Sequence, residues 1–209
     1  MQKPQRAARL DKLADIASIQ EGFFSAVQAA EKGVDRFALQ RLVQAGLLAR
    51  GPRAVYRFAS YPPTDRGELW EATLWPSVGK IQRDNRRLFG VLSHGSALEL
   101  HAVSTINPST IDLTLPRYYR VRRAAPSLYR LHFADLPPTD VVKTEQGLPI
   151  TTLYRTLLDL IAERSQLQFV DEALERAKTL TGSEIQKLRA LRTLDDDTVL
   201  HVRQSRARR

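Results

Sequence analysis

The stretch "KGVDRFALQRLVQAGLLARG", Lys32 to Gly51, decides how the first third of the chain folds. Asp35 is a short acceptor placed just before a run with helical spacing, and Gly46 stands where a left-handed residue stops a helix. A helix of roughly three turns is therefore predicted between them. With about 100° per residue and Leu39 as origin, Leu42 falls near 300° and Val43 near 40°, so these three define the face turned to a core. Gln40, Gln44, Phe37 and Arg41 fall at about 100°, 140°, 160° and 200°. The outward face is long, hydrogen-bonding and cationic, and it carries no acid.

Upstream, Leu10, Leu13, Ala14 and Ala17 recur at helical spacing and predict a helix over about residues 7–20, ended by Glu21-Gly22. Phe23-Phe24 reads as a short extended piece. Ser25 opens the capping box "SAVQ" with Gln28, so a second helix is expected from Ala26 to about Lys32, with Gly33 making the turn. Downstream, Leu47–Arg50 and Ala54–Phe58 are extended runs separated by Gly51-Pro52-Arg53, the pattern of a β-hairpin. Helix, helix, turn, helix, hairpin is the order of a winged helix-turn-helix.

That context gives the outward face a chemistry. Arg can bond guanine bidentately in a major groove, Gln can do the same to adenine, and an apolar ring such as Phe37 can meet a thymine methyl. Arg and Gln also decorate ordinary exposed helices, because both are good helix formers. The hairpin adds Arg50, Arg53 and Arg57, which suit phosphate contacts beside the groove. Asp35 works the other way, since a carboxylate at the helix start partly cancels the dipole that attracts a phosphate.

The 209 residues carry 32 Lys and Arg against 23 Asp and Glu, for a net charge of +9 and a pI near 10.2. Such a balance points to a polyanionic partner. Residues 1–66 hold 11 basic and 6 acidic side chains, residues 67–197 hold 17 of each, and residues 198–209 hold 4 basic and none acidic. The excess sits at the ends, where the tail arginines from Arg203 add nonspecific phosphate attraction. No apolar run approaches a membrane span, and Asp11 and Asp15 do not suit a transit peptide, so a soluble, cytoplasmic protein is expected. The absence of cysteine excludes disulfides and thiolate metal sites. No cofactor and no metal are expected.

Ser60-Tyr61-Pro62-Pro63-Thr64 is the clearest seam, since two prolines forbid a continuing helix. The expected division is a DNA-binding domain at 1–62, an α+β domain at 63–197 and a basic tail at 198–209. In the second domain, helices are expected near 65–74 and 94–101. Strands are expected at "LFGVLS", at "TIDLTLP", and near 128–133, 141–143 and 148–151. Closing helices are expected near 153–163, 166–179 and 184–193. Leu157, Leu158, Ile161, Leu174, Ala177, Leu188 and Leu191 have core-like spacing there. The class is α+β, a winged helix followed by a larger mixed domain ending in helices.

Enzymatic readings of this half are weak. Ser93, His94 and His101 lie close in sequence and Asp112 follows, but adjacent Ser and His do not easily pair as nucleophile and base. The G-x-S-x-G elbow is also missing, because position 91 is Val. Ser93 is expected to cap the helix, with Ala97 and Leu98 facing inward. His94 and His101, two helical turns apart, are about 10 Å from one another along the axis and do not share a metal. A nuclease would have to recruit Asp112, Glu145 or the Asp171–Glu175 helix. A second candidate polyanion surface is the segment from Arg117 to Arg130, where Arg117, Arg120, Arg122, Arg123 and Arg130 occur without an acid among Tyr118, Tyr119 and Tyr129.

Taken whole, the segment Gln5–Thr64 resembles the N-terminal winged helix of the AbiEi family of bacterial type IV antitoxins. "FGVLSHGSALELHAVSTINPSTIDLTLPR", "LYRLHFADLPPTDVV" and "GLPITTLYRTLLDLI" are similar to segments of that family's C-terminal domain, in the same order. The resemblance reaches to about Leu194. It implies a non-enzymatic antitoxin that binds double-stranded operator DNA, represses its own operon and counteracts a nucleotidyltransferase-type toxin. Self-association on DNA is a further candidate. It assigns the groove-facing role to Arg36, Phe37, Gln40, Arg41 and Gln44, and the wing role to Arg53. Two departures stand out: Asp35 replaces a Ser or Thr, and Ala102 replaces a Gly after the short helix. The alternative is a stand-alone winged-helix transcription factor whose second domain senses a ligand or oligomerises.

Overall fold

The computed structural model describes residues 3–51, 54–62, 64, 66–77, 90–121 and 124–194. Arg53, Arg122, Arg123, most of the Gly51-Pro52-Arg53 loop and the basic tail lie outside them, as do Asp65 and the start of "LFGVLS". The chain forms two compact units, Met1–Gly90 with Glu145–Leu148, and Val91–Thr144 with Pro149–Arg209. The Pro62-Pro63 seam falls inside the first.

The first unit begins with α1 (Lys3–Ala17), β1 (Phe23–Ser25), α2 (Ala26–Glu31) and α3 (Arg36–Gln44). It continues with β2 (Leu48–Arg50), β3 (Val55–Phe58) and α4 (Gly67–Leu74). α1 stops before residue 20 because Gly22 N–H returns to Ala17 O at 2.8 Å, around positive φ angles at Glu21 and Gly22. A side chain on Gly22 would also strike the Tyr61 ring. The capping box is present: Gln28 N–H donates to Ser25 Oγ at 3.2 Å and Ser25 N–H to Gln28 Oε1 at 2.8 Å. Gln28 Nε2 then donates to Gln20 Oε1 at 2.8 Å, so these buried amides satisfy one another.

β1, β3 and β2 form an antiparallel sheet in that order, with Phe24 opposite Tyr56 and Leu48 opposite Phe58. Cross-strand partners share a face, so Phe24, Tyr56, Leu48 and Phe58 all meet the helices. There they join Leu13, Ile16, Ala17, Leu39 and Leu42 in one core. Phe23–Ser25 thus contributes a third strand to the hairpin sheet, beyond the isolated extended piece that the sequence suggested. Ile16 is buried where Ala14 was expected. This is a winged helix-turn-helix.

The second unit holds β4 (Val91–Leu92), α5 (His94–His101), β5 (Ile111–Leu115) and β6 (Tyr129–Phe133). Then come β7 (Val141–Lys143), β8 (Pro149–Thr151), α6 (Leu153–Ala162), α7 (Leu167–Arg176) and α8 (Gly182–Thr193). The mixed sheet has the order β6-β5-β4-β8-β7, with β5 parallel to β6 and β4 parallel to β8. α5 and the three closing helices bury Leu98, Leu157, Leu158, Ile161, Leu174, Leu188 and Leu191 together, with Ala177 packed against them. α7 ends short of residue 179 because Ala177 turns extended.

Two local features fix this unit. Arg155 on α6 is nearly buried, and its guanidinium donates to Asp159 at 2.8 Å and to Asp140 at 3.0 Å. Ala102, at the glycine position of the resembled family, has φ 53° and ψ 33°. An alanine there carries the strain that glycine avoids.

Candidate nucleic-acid interface

α3 is set by its two ends. Asp35 Oδ1 accepts from Ala38 N–H at 2.7 Å, and Gly46 takes φ +70° after the last turn. Ala38, Leu39 and Leu42 are buried beneath it, while Val43 is only half buried. Ala38 is the third core residue, which a wheel anchored on the larger side chains passed over. Arg36, Phe37, Gln40, Arg41 and Gln44 are all exposed, and Phe37 keeps 64% of its surface open. The Arg36 guanidinium lies 5.7 Å from the Phe37 ring centroid, a cation–π contact that holds both at the helix start. No acid occurs within α3.

The hairpin divides its arginines. Arg50 is exposed on edge strand β2. Arg57 is half buried, with its guanidinium 5.7 Å from the Phe23 ring centroid. Arg57, Phe23 and Ala49 are opposite one another in the sheet register and therefore lie on the face away from the helical core. A cavity of about 310 Å³ beside these strands is lined by Arg50, Arg57, Glu68 and Glu71 among others. Burial, and the charge of Glu68, push the Glu71 carboxyl up from its ordinary value.

In the second unit, Arg117, Tyr118, Arg120 and Arg130 are exposed and Tyr119 is half buried. Acids reach this segment from elsewhere. Asp135 Oδ1 accepts from Arg117 N–H at 3.2 Å, and Arg130 Nε is 3.9 Å from Asp112.

Ser93 and His94 depart from what their positions suggested. Ser93 occupies the N-cap position but makes no capping bond; its hydroxyl accepts from Thr114 Oγ1 at 2.9 Å and lies 3.0 Å from His94 Nδ1. Neighbouring Ser and His do meet, because His94 takes φ 48° and its ring leaves the helical periodicity. Ser93 is fully buried, so it offers no nucleophile to a substrate. His101 faces elsewhere, with Nε2 2.8 Å from Thr151 O, and burial lowers its pKa. Of the carboxylates a nuclease would recruit, Asp171 pairs with Arg192, Glu172 holds Thr105 and Asp112 holds His132.

His132 was not singled out by the sequence reading, and neither was Glu163. His132 Nε2 is 2.8 Å from Asp112 Oδ1, and its Nδ1 is 3.2 Å from Glu163 Oε1. His94 Nε2 reaches the same Glu163 oxygen at 3.1 Å, and the two imidazoles stack with centroids 3.6 Å apart. Burial pulls His132 toward neutrality, but the hydrogen bonds and charges of Asp112 and Glu163 outweigh it and lift its pKa to about 9. Burial raises the Glu163 carboxyl, and the same two imidazoles more than reverse that, holding it well below the usual carboxylate range.

Comparison with known proteins supports the first unit's reading. Residues 11–59 match the family described as "Transcriptional regulator, AbiEi antitoxin", which bears out the resemblance over that segment. The crystal structure of the RV2827C protein from Mycobacterium tuberculosis is similar in fold, with a TM-score of 0.51 at 14% identity, covering 90% of this chain and 72% of that one. No curated protein matches the chain. Among the described residues, no helix is long and apolar enough to cross a membrane.

Proposed function

We propose that this chain is the antitoxin and autorepressor of a type IV toxin–antitoxin operon. The N-terminal unit binds double-stranded operator DNA by laying α3 in the major groove, and the C-terminal unit counteracts a nucleotidyltransferase-type toxin without performing catalysis itself. One observation carries the DNA half: Arg36, Phe37, Gln40, Arg41 and Gln44 stand exposed along a single acid-free ridge, over the buried Ala38, Leu39 and Leu42. Arg41, Gln40 and Gln44 have the donor geometry for guanine and adenine edges, and Phe37 has the apolar surface for a thymine methyl. Arg50 contacts phosphate beside the groove, and Arg53 takes the same role by its place in the sequence of the hairpin loop. Arg57 braces the wing through Phe23 and contributes less directly. The Arg117–Arg130 segment offers a second, weaker polyanion surface in the exposed Arg117 and Arg120 and the half-buried Tyr119, and the sequence adds Arg122 and Arg123 to its charge.

Gel-shift titration with operator and scrambled duplexes tests the groove assignment. Arg41→Ala combined with Gln44→Ala should abolish preference for the operator while leaving salt-sensitive background binding. Equal selectivity in the variant and the wild type would overturn it. For the antitoxin half, co-expression with the neighbouring reading frame should rescue growth. Failure to rescue would leave a transcription factor with no toxin to counter.

A further inference from the structure

We propose that His94, His132 and Glu163 bind one divalent transition-metal ion of the zinc class, through Nε2 of His94, Nδ1 of His132 and Oε1 of Glu163. The inference concerns the second unit alone and stands apart from the DNA reading. These three donor atoms lie within 4.8 Å of one another, and Glu163 Oε1 is 3.1 Å and 3.2 Å from the two ring nitrogens. A tetrahedral ion about 2.0–2.1 Å from each donor sets donors roughly 3.3 Å apart. The carboxylate therefore already stands at coordination spacing from both imidazoles. The rings, now stacked, must splay to aim both nitrogens at one point, and the ion must take the place of the proton between His132 Nδ1 and Glu163.

The outer nitrogens point to the same conclusion. His132 donates from Nε2 to the buried Asp112 carboxylate, which leaves Nδ1 as the nitrogen that binds the ion once its proton is displaced. The outer nitrogen of a metal-bound histidine is held by a carboxylate, a backbone carbonyl or a water, and here it is a carboxylate. His94 Nδ1 is engaged by Ser93, itself anchored by Thr114, which leaves Nε2 inward. That nitrogen is buried and close to Glu163, yet not aligned with it for a hydrogen bond. Gln166 Oε1 is likewise buried without a hydrogen-bond partner. A methyl on Gly95 would come within 2.8 Å of that oxygen and 3.2 Å of Asp112 Oδ2, so the surroundings are tightly packed. His94 adopts its left-handed backbone at a cost that other contacts must offset.

The donor set selects the ion. Two imidazoles and one carboxylate suit zinc, cobalt or iron, whereas magnesium and calcium prefer oxygen alone. Three protein ligands leave a fourth position for water, and the 30% exposure of the Glu163 side chain gives solvent a way in. Bound there, the ion would join the start of α5, β6 and the end of α6, and so stabilise the unit that carries them.

Cobalt and zinc titrations of the tag-free, full-length chain, stripped with chelator, test the proposal. One Co²⁺ per chain should produce the visible absorption of a four-coordinate site, Zn²⁺ should displace it, and Zn²⁺ should raise the thermal midpoint. Removing His132 strands the Asp112 carboxylate and can unfold the unit, so Glu163→Gln is the deciding variant, with its fold checked by circular dichroism. It should weaken binding by about 100-fold or more, and Asp112→Asn by about 10- to 100-fold. Absence of the cobalt spectrum in the wild type would overturn the proposal. So would an unchanged spectrum in Glu163→Gln, which would mean that the cluster is only a protonated His132 bridging two carboxylates.

Discussion

The ridge on α3 and the cluster around His132 are built on opposite principles. The ridge belongs to one helix: its outward residues follow from local periodicity, and its supports are a cap, a stop and three apolar side chains. The cluster is assembled from β5, β6, the start of α5 and the residue after α6, which meet only once the sheet has paired. The polar groups that support the two units differ in the same sense. In the first unit, buried Gln20 and Gln28 exchange neutral hydrogen bonds, whereas in the second Arg155 neutralises the buried Asp159. A neutral network can lose a member for the cost of its desolvated partners, but an ionic one leaves a bare charge.

Arg155→Met should therefore have the largest effect, a loss of about 3–5 kcal/mol from the second unit. Trp70 and Trp75, the two tryptophans of the chain, both lie in the first unit. Urea unfolding of this variant should shift the circular dichroism transition and leave the tryptophan fluorescence transition in place. A common shift would show that the units unfold as one, and the contrast between them would fail. Gln28→Ala should cost roughly 1–3 kcal/mol in the first unit, by stranding Ser25 N–H and Gln20, with the fluorescence transition as the readout. On DNA, Arg41→Ala alone should remove about 1–3 kcal/mol of discrimination at one base pair, measured by competition between operator variants. The smallest change should be a gain: Ala102→Gly relieves a left-handed alanine and should raise stability by up to about 1 kcal/mol.

How far each region could be read from the sequence follows from the same contrast. Asp35, Gly46, Ser25 and Gln28 act within a few residues of their partners, and the structure places them as their local chemistry dictates. The small Ala38 escaped because a wheel built on large side chains gives it little weight. His132 escaped for a different reason. In "YRLHF" it is simply one of two polar members, with Arg130, of an alternating strand, and its meaning depends on β5 and β6 pairing so that Thr114 faces His132 and Asp112 faces Arg130. That pairing is parallel and joined by a long connection, so no tight turn fixes its register. His94 was matched with His101 by helical spacing, but its positive φ removes it from that spacing. The Arg117–Arg130 run looked free of acids because Asp135 and Asp112 lie outside the window.

Methylation protection at guanine N7 reads the major groove directly, and it bears on the ridge more closely than any affinity does. Wild-type protein should shield specific operator guanines, and Arg41→Ala should expose at least one of them while the backbone footprint stays in place. Guanines equally shielded by wild type and Arg41→Ala, or protection confined to the minor groove, would contradict a helix seated in the major groove.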